Sequence, residues 1–138
     1  MTDLERTLVL LKPDAVRRGL VGTILARYEA KGLTPVAVEM RQIDATMADR
    51  HYADHVEQPW YPPLRDYITS GPLVAMVLAG PSVIEVVRLM NGATNSAVAA
   101  PGTIRGDLAL SNRENLVHAS DSAESAAKEM SLWFPTLT

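Results

Sequence analysis

The chain has 138 residues, which is the size of one domain that can bury its own core. Its net charge of −3 at pH 7 argues against a general nucleic-acid binder, so we expect any bound anion to meet a local cluster of cations. The chain has no cysteine, which excludes disulfides, thiolate catalysis and thiolate metal sites.

The longest apolar runs of the chain are short. Residues 8–11 and 73–79 fall below the length of a signal-peptide core or a membrane span. We therefore expect a cytoplasmic protein that has no membrane partner.

Hydrophobic spacing predicts alternating strands and helices in the first half of the chain. A continuous apolar run at residues 7–11 predicts a buried strand that delivers Lys12 to its end. Apolar side chains at helical spacing predict a helix over residues 21–31. The next predicted elements are a strand at 35–40, a helix at 46–55 with Thr46 as a possible cap, and a short helix at 64–69.

A second buried strand is predicted at residues 73–78, followed by a helix that Ser82 can cap. Apolar side chains repeat along this helix at the spacing of one buried face. The residues of that predicted face are Val83, Val86, Val87 and Met90.

Periodicity disappears from residues 93–113, and long ordered loops usually carry function. The last predicted elements are a strand at 116–117 and a helix at 122–132 with Ala126, Ala127, Met130 and Trp133 facing inward. The order of elements indicates an α/β sandwich in which helices cover a small sheet. Strands separated by helices are compatible with parallel or antiparallel pairing, so the pattern alone leaves the topology open.

Residues 115–122 place His118 between a short apolar strand and the start of a helix. A helix start exposes backbone N–H groups and the positive end of its dipole, which would stabilise an anion beside this imidazole. Residues 120–122 all cap helices well, and Asp121 and Glu124 have the spacing of a capping box. A lone histidine after apolar residues is usually structural, so a catalytic role needs support from elsewhere in the chain.

The chain has neither of the common glycine-rich phosphate loops, so a phosphate would have to be held by side chains. Lys12, Arg88 and Arg105 are the candidates, because each follows or ends a predicted element. Two glycines flank Arg105 and allow a ligand to approach the backbone closely. Each cation alone is better explained as a solvated charge, so the argument depends on their combination with His118.

Two further histidines have the spacing of neighbours on one helical face. His51 and His55 are four residues apart, a spacing that can bind zinc. The residues between them lack the glutamate of the His-Glu-x-x-His motif. We therefore expect no metal site there.

Several motifs together resemble the nucleoside diphosphate kinase family. They are LLKPD at residues 10–14, SGP at 70–72, PGTIRGD at 101–107, NLVHASDS at 115–122 and LWF at 132–134. The match follows the order and spacing of the family over essentially the whole chain. The resemblance implies one domain over residues 1–138 with a ferredoxin-like βαββαβ fold, in which helices cover a four-stranded antiparallel sheet.

The resemblance also implies a reaction. The γ-phosphoryl group of a nucleoside triphosphate, mainly ATP, would pass to nucleoside diphosphates by a ping-pong path through a phosphohistidine at His118, giving the other nucleoside and deoxynucleoside triphosphates. A neutral imidazole is a competent nucleophile near pH 7, whereas a hydroxyl would need an added base. Magnesium would arrive on the nucleotide phosphates, with no dedicated protein site.

The family pattern assigns roles to individual residues of this chain. Lys12 and Tyr52 would contact the transferring group, and Ser120 and Glu129 would orient His118. The residues that would bind the rest of the nucleotide are Arg88, Thr94 and Arg105 at the phosphates, Asn115 and Lys12 at the sugar hydroxyl, and Trp60 at the base.

The chain departs from the family pattern at three positions near the expected site. Trp60 replaces a common phenylalanine and should still stack on any base. Asn112 replaces a usually apolar residue on the other side of the base. Ala119 replaces a glycine, which would cost about 1–2 kcal/mol if the position requires a left-handed backbone.

The resemblance implies a homo-oligomer, either a hexamer or a tetramer, with residues 93–113 and 135–138 at interfaces. Nucleoside di- and triphosphates are the expected small-molecule partners, and no nucleic acid is expected. Two other functions remain open at this stage. His118 could carry phosphate between proteins, or the chain could be a regulatory nucleotide-binding protein without catalysis.

Overall fold

A computed structural model describes residues 4–137. Four strands form one sheet in the order β2-β3-β1-β4, and every neighbouring pair is antiparallel. The strands are β1 (Glu5–Leu11), β2 (Thr34–Arg41), β3 (Leu73–Gly80) and β4 (Val117–Ala119). The helices are α1 (Pro13–Arg17), α2 (Val21–Ala30), α3 (Ala45–His51), α4 (Tyr61–Ile68), α5 (Val83–Asn91), α6 (Ile104–Leu108) and α7 (Ala123–Trp133).

This topology settles the pairing that the sequence pattern left open. β1 and β2 run in the same direction with β3 between them, and β3 and β4 enclose β1 in the same way. The ferredoxin-like βαββαβ arrangement with a four-stranded antiparallel sheet is therefore confirmed.

Two apolar clusters form the core, one on each face of the sheet. Side chains alternate between the two faces along a strand, so Val9 and Leu11 lie in one cluster and Leu8 and Leu10 in the other. We call them the first and second face. Helices α2 and α5 cover the first face, while α3, α4 and the end of α7 cover the second. The unbroken apolar sequence of β1 follows from burial on both sides.

β4 places His118 by the same alternation. Val117 and Ala119 point into the first face, and His118, which lies opposite Leu10 in the pairing of β4 with β1, points to the second. His118 is thus in the middle of a strand, and the prediction that it lies between a strand and a helix start is wrong. The strand begins after Leu116 because that residue has φ 74°, which extended backbone does not allow.

Helix caps differ from the predicted ones. Asp44, not Thr46, accepts a hydrogen bond from the first turn of α3, at 2.9 Å from Met47 N. Ser82 has φ 53° and makes no side-chain cap; instead Glu5 Oε1 accepts from Ile84 N at 3.0 Å. The α7 cap is Ser122, whose Oγ accepts from the amide of Ser125 at 3.1 Å, rather than a box of Asp121 and Glu124.

Four helices differ from their predicted extents or faces, and one of them, α4, begins at Tyr61 rather than at residue 64. The helix predicted at residues 46–55 ends at His51, and a short 3-10 turn follows it. On α5, Val86 and Met90 are partly buried, while Ile84 joins Val83 and Val87 in the core. On α7, Ala126 and Trp133 are buried as predicted, but Ala127 is exposed.

The long loop before β4 contains α6, which hydrophobic periodicity missed because five residues are too few to show a repeat. Thr103 Oγ1 caps this helix at 2.9 Å from Gly106 N. A Cβ added to Gly106 would lie 1.9 Å from the carbonyl oxygen of Ala100, so only glycine fits there. This packing holds Arg105, the next residue before Gly106, against the sheet.

Candidate active site

A cavity of about 1110 Å³ opens beside β4, at the edge of the sheet. Nine of the ten residues that the family pattern assigns to the site line it, and the tenth, Ser120, is buried behind His118. The nine are Lys12, Tyr52, Trp60, Arg88, Thr94, Arg105, Asn115, His118 and Glu129. The fold therefore gathers residues that lie as far apart as β1 and α7.

A carboxylate holds the His118 ring. Nε2 of His118 lies 2.7 Å from Oε1 of Glu129, and Ser120 Oγ donates to the same oxygen at 3.0 Å. A carboxylate only accepts hydrogen bonds, so the contact assigns the proton of the neutral ring to Nε2. The lone pair then resides on Nδ1, the nitrogen that attacks an electrophile.

His51 contacts the ring of His118. Trp133 Nε1 donates to His51 Nδ1 at 3.0 Å, and the His51 ring meets the His118 ring edge to face, with centroids 4.8 Å apart. Burial, with the neighbouring charges of His118 and Lys12, lowers the pKa of His51 well below its usual value. His51 is therefore neutral at pH 7.

His51, His118 and Glu129 each offer a ligand atom within 4.8 Å of the others, as a metal site would. The Trp133 indole occupies Nδ1 of His51, so the proton of the neutral His51 ring lies on Nε2 and neither nitrogen has a free lone pair.

His55 belongs to the turn after α3, and its ring lies 5.2 Å from Trp60. His51 and His55 therefore do not lie on one face of a common helix, as their spacing in the sequence suggested.

Lys12 lies at the end of β1, as predicted, and is buried. Its Nζ donates to Asn115 Oδ1 at 2.8 Å and stands 5.8 Å above the Tyr67 ring. Burial, with Arg105 nearby, lowers the pKa of Lys12 to about 8, although Asp14 opposes that shift. The ammonium has three protons, so it keeps donors for a ligand in the cavity.

The Asn115 side chain is fixed on both of its polar atoms. Its Oδ1 accepts from Lys12, and its Nδ2 donates to the carbonyls of Thr94 at 3.0 Å and Asn112 at 3.1 Å. The amide thus joins β1 to two segments of the long loop.

Arg105 contributes as much to structure as to charge. Its guanidinium donates to the backbone carbonyls of Asn115 at 3.2 Å, Gly92 at 2.9 Å and Val117 at 2.6 Å. Three of its five N–H donors are used in this way, which leaves two for a ligand. Burial lowers the pKa of Arg105, but an arginine remains charged.

The remaining site residues line the mouth and the wall of the cavity. Arg88 is exposed in the last turn of α5, and Trp60 is 48% exposed at the start of α4. Burial, together with Tyr61 and Glu129, raises the pKa of Tyr52, so its hydroxyl stays a proton donor. Asn112 lines the same cavity.

Ala119 does not have the left-handed backbone that would make it costly. It belongs to β4 and pairs with Val9. Within residues 4–137, the non-glycine residues with positive φ are Ser82 and Leu116. The expected cost of 1–2 kcal/mol therefore does not arise at this position.

Comparison with known proteins gives consistent results. The nucleoside diphosphate kinase family model matches residues 5–138. The chain is 70% identical to a nucleoside diphosphate kinase of Nocardioides sp., over 96% of this chain and 98% of that protein. It is 61% identical to the Cutibacterium acnes enzyme of the same name, over 99% of each chain.

Solved structures agree with these relatives. The fold of this chain matches that of a nucleoside diphosphate kinase from Halobacterium salinarum, solved in complex with CDP, with a TM-score of 0.93. The two are 44% identical, and the match covers 96% of this chain and 88% of the other.

The fold, the cavity and the relatives define a class of phosphotransferases with a histidine in a cationic cleft. Within that class, the chain belongs to the nucleoside diphosphate kinase family.

Proposed function

We propose that this protein transfers the γ-phosphoryl group of a nucleoside triphosphate, mainly ATP, to nucleoside diphosphates by a ping-pong path through His118. The observation that carries the proposal is the 2.7 Å contact of Nε2 with Glu129, which leaves the lone pair on Nδ1 of a ring that lines a cavity with several cations. Its products are the other nucleoside and deoxynucleoside triphosphates.

The first half-reaction follows from that geometry. The Nδ1 lone pair attacks the γ-phosphorus, the N–P bond forms, and the bond to the β,γ-bridging oxygen breaks as the diphosphate leaves. Glu129 keeps the proton on Nε2 and stabilises the positive charge that develops on the ring. The second half-reaction reverses these steps, with a terminal oxygen of another diphosphate as the attacking group.

Charge stabilisation is the main contribution that a protein makes to phosphoryl transfer. Lys12 and the Tyr52 hydroxyl would donate to the transferring group. Arg88, Thr94 and the two unused donors of Arg105 would bind the neighbouring phosphates. These cations explain how a chain of net charge −3 can bind a polyanion.

The nucleoside would occupy the outer part of the cavity. Asn115 is held by Lys12 and by two loop carbonyls, which gives the sugar hydroxyl a fixed polar partner. Trp60 offers an exposed aromatic face on which any base can stack. Asn112 would lie on the other side of the base from Trp60.

Magnesium fits this site only as part of the nucleotide. The carboxylates that line the cavity are Asp54, Asp121 and Glu129, and Glu129 is already bonded to His118 and Ser120. Two carboxylates are too few for an octahedral shell of oxygen ligands, so phosphates and water would supply the rest. Asp54 and Asp121 would accept hydrogen bonds from those waters, and the ion, when bound, neutralises phosphate charge.

We propose one domain over residues 1–138, a cytoplasmic location and a homo-oligomer that is a hexamer or a tetramer. Val38 and Met40 are exposed on β2, an edge strand, and an apolar edge of this kind supports association. Among residues 4–137, every helix is too short or too polar to span a lipid bilayer.

Labelling from a nucleotide tests the reaction. Purified protein incubated with γ-labelled GTP and magnesium should form an acid-labile, alkali-stable phosphoprotein that discharges onto CDP or UDP. The His118→Ala variant should remain unlabelled. A wild-type protein that takes no label, or a variant that labels as well as wild type, contradicts the proposal.

A further inference from the structure

We propose that His51 is a positioning residue that fixes the plane of the His118 ring and so aims its Nδ1 at the phosphoryl group. This inference rests on the proposed function, because it concerns the same nucleophile. His51 touches neither the nucleotide nor the reacting atoms in this role; it acts through His118.

The contact with Glu129 alone leaves the His118 ring one rotational degree of freedom. This contact fixes Nε2, and β4 fixes the backbone, but the ring can still pivot about the line that joins Cβ to Nε2. Such a pivot would swing Nδ1 away from its line of attack. A second contact on the face or edge of the ring is needed to stop it.

The His51 ring supplies that contact. Its centroid lies 4.8 Å from that of His118, and the two planes meet at 83°. This edge-to-face arrangement is favourable for aromatic pairs, and it blocks the pivot sterically. The contact comes from the last residue of α3, whereas Glu129 comes from α7, so two separate helices define the ring.

His51 is itself held rigidly. Trp133 Nε1 donates to its Nδ1 at 3.0 Å, and the Trp133 ring, which is fully buried, lies 5.5 Å away at 80°. Tyr52 packs on it at 4.6 Å. The neutral state of His51 fits this role, because a second imidazolium beside His118 would compete for Glu129.

Two variants separate the ring contact from the hydrogen bond to Trp133. His51→Asn keeps an acceptor near the position of Nδ1 but removes the ring. His51→Phe keeps a ring but removes the acceptor. Arg50→Asn is the matched control, since Arg50 is the exposed neighbour of His51 on α3.

The test compares two phosphoryl donors. The rate of His118 phosphorylation is measured in single turnovers with Mg-ATP, whose phosphoryl group is held in place, and with phosphoramidate, a small donor that approaches freely. Binding of ADP is measured by calorimetry. Each measurement is made on wild type and on all three variants.

For His51→Asn we expect the rate with Mg-ATP to fall roughly tenfold to a hundredfold, as for a misplaced reacting atom. Its rate with phosphoramidate and its affinity for ADP should stay within about twofold of wild type, because neither depends on the orientation of Nδ1 toward a fixed phosphoryl group. His51→Phe should lie closer to wild type than His51→Asn, and Arg50→Asn should be unchanged.

Three outcomes would overturn the proposal: an unchanged Mg-ATP rate in His51→Asn, an equal loss with both donors, or His51→Phe as slow as His51→Asn. If His51→Asn does not fold, the comparison of His51→Phe with wild type decides the matter, and a hundredfold loss there counts against the ring contact. Failure of the proposed function looks different. Wild type would then label from phosphoramidate but not from Mg-ATP.

Discussion

Asp14 binds the backbone of Leu116 across 102 residues of sequence. Its Oδ2 accepts from the Leu116 amide at 3.1 Å, and its Oδ1 accepts from the Tyr67 hydroxyl. Leu116 is fully buried with φ 74°, a conformation that costs a non-glycine residue about 1–2 kcal/mol. The buried carboxylate thus maintains the strained residue that joins Asn115 to β4.

Substitution of Asp14 by asparagine should destabilise the protein and disturb the site together. The amide group has one acceptor oxygen for two donors, so one buried donor loses its partner. We expect a loss of about 1–3 kcal/mol in the free energy of unfolding, measured in urea. Tyr67→Phe, which removes only one donor, should cost less. Equal stability of Asp14→Asn and wild type would show that the carboxylate does not hold Leu116.

Lys12 should make nucleotide affinity depend on pH. Its pKa is lowered to about 8, so the ammonium is charged below that pH and neutral above it. A phosphate attracts only the charged form, and affinity for ADP should therefore be full at pH 7 and fall by up to about tenfold per pH unit above 8. Calorimetry at constant ionic strength measures this. Lys12→Arg remains charged at all these pH values and should bind ADP with little change between pH 7 and 9.5. If the affinity of Lys12→Arg for ADP fell in the same way, the pH dependence would come from another group.

Trp60 should bind all bases by stacking. Trp60→Ala is expected to weaken ADP, GDP, CDP and UDP by about 1–3 kcal/mol each, because every base has an aromatic face. Leu110→Ala, at a residue that is 89% exposed and outside the cavity lining, provides the control. In wild type, a preference among the four that exceeds roughly tenfold, about 1.4 kcal/mol, would show that Trp60 or Asn112 discriminates between bases.

Gly106 should tolerate no side chain. A Cβ there would lie 1.9 Å from the Ala100 carbonyl, so α6 would have to move and Arg105 would lose its carbonyl contacts. We expect Gly106→Ala to lose at least about 1–3 kcal/mol of stability, as overpacking does. Gly22→Ala is the matched control, because Gly22 lies in α2 with open space around its Cα. That variant should gain up to about 1 kcal/mol. Thermal or urea unfolding compares the two, and equal effects would contradict the packing argument.

The elements with a local signal could be predicted from the sequence. The apolar run of β1, the helical spacing of α2 and the buried run of β3 each lie within a few residues of their structural bounds. Lys12 falls at the end of β1 because the apolar run stops there. Nine of the ten residues that the family pattern assigns to the site line one cavity, although the pattern does not say how each one is held.

The sequence by itself determined the elements with a clear hydrophobic repeat, such as β1, α2 and β3, because these depend on residues close together in the chain. It also determined the charge balance and which chemically competent side chains are present. The tertiary structure alone decided the face on which His118 lies and the helix cap supplied by Glu5. It also decided the contact of His51 with Trp133, 82 residues apart, and that of Asp14 with Leu116. Such contacts depend on which strands pair and which helices cover each face, and no local pattern encodes that choice.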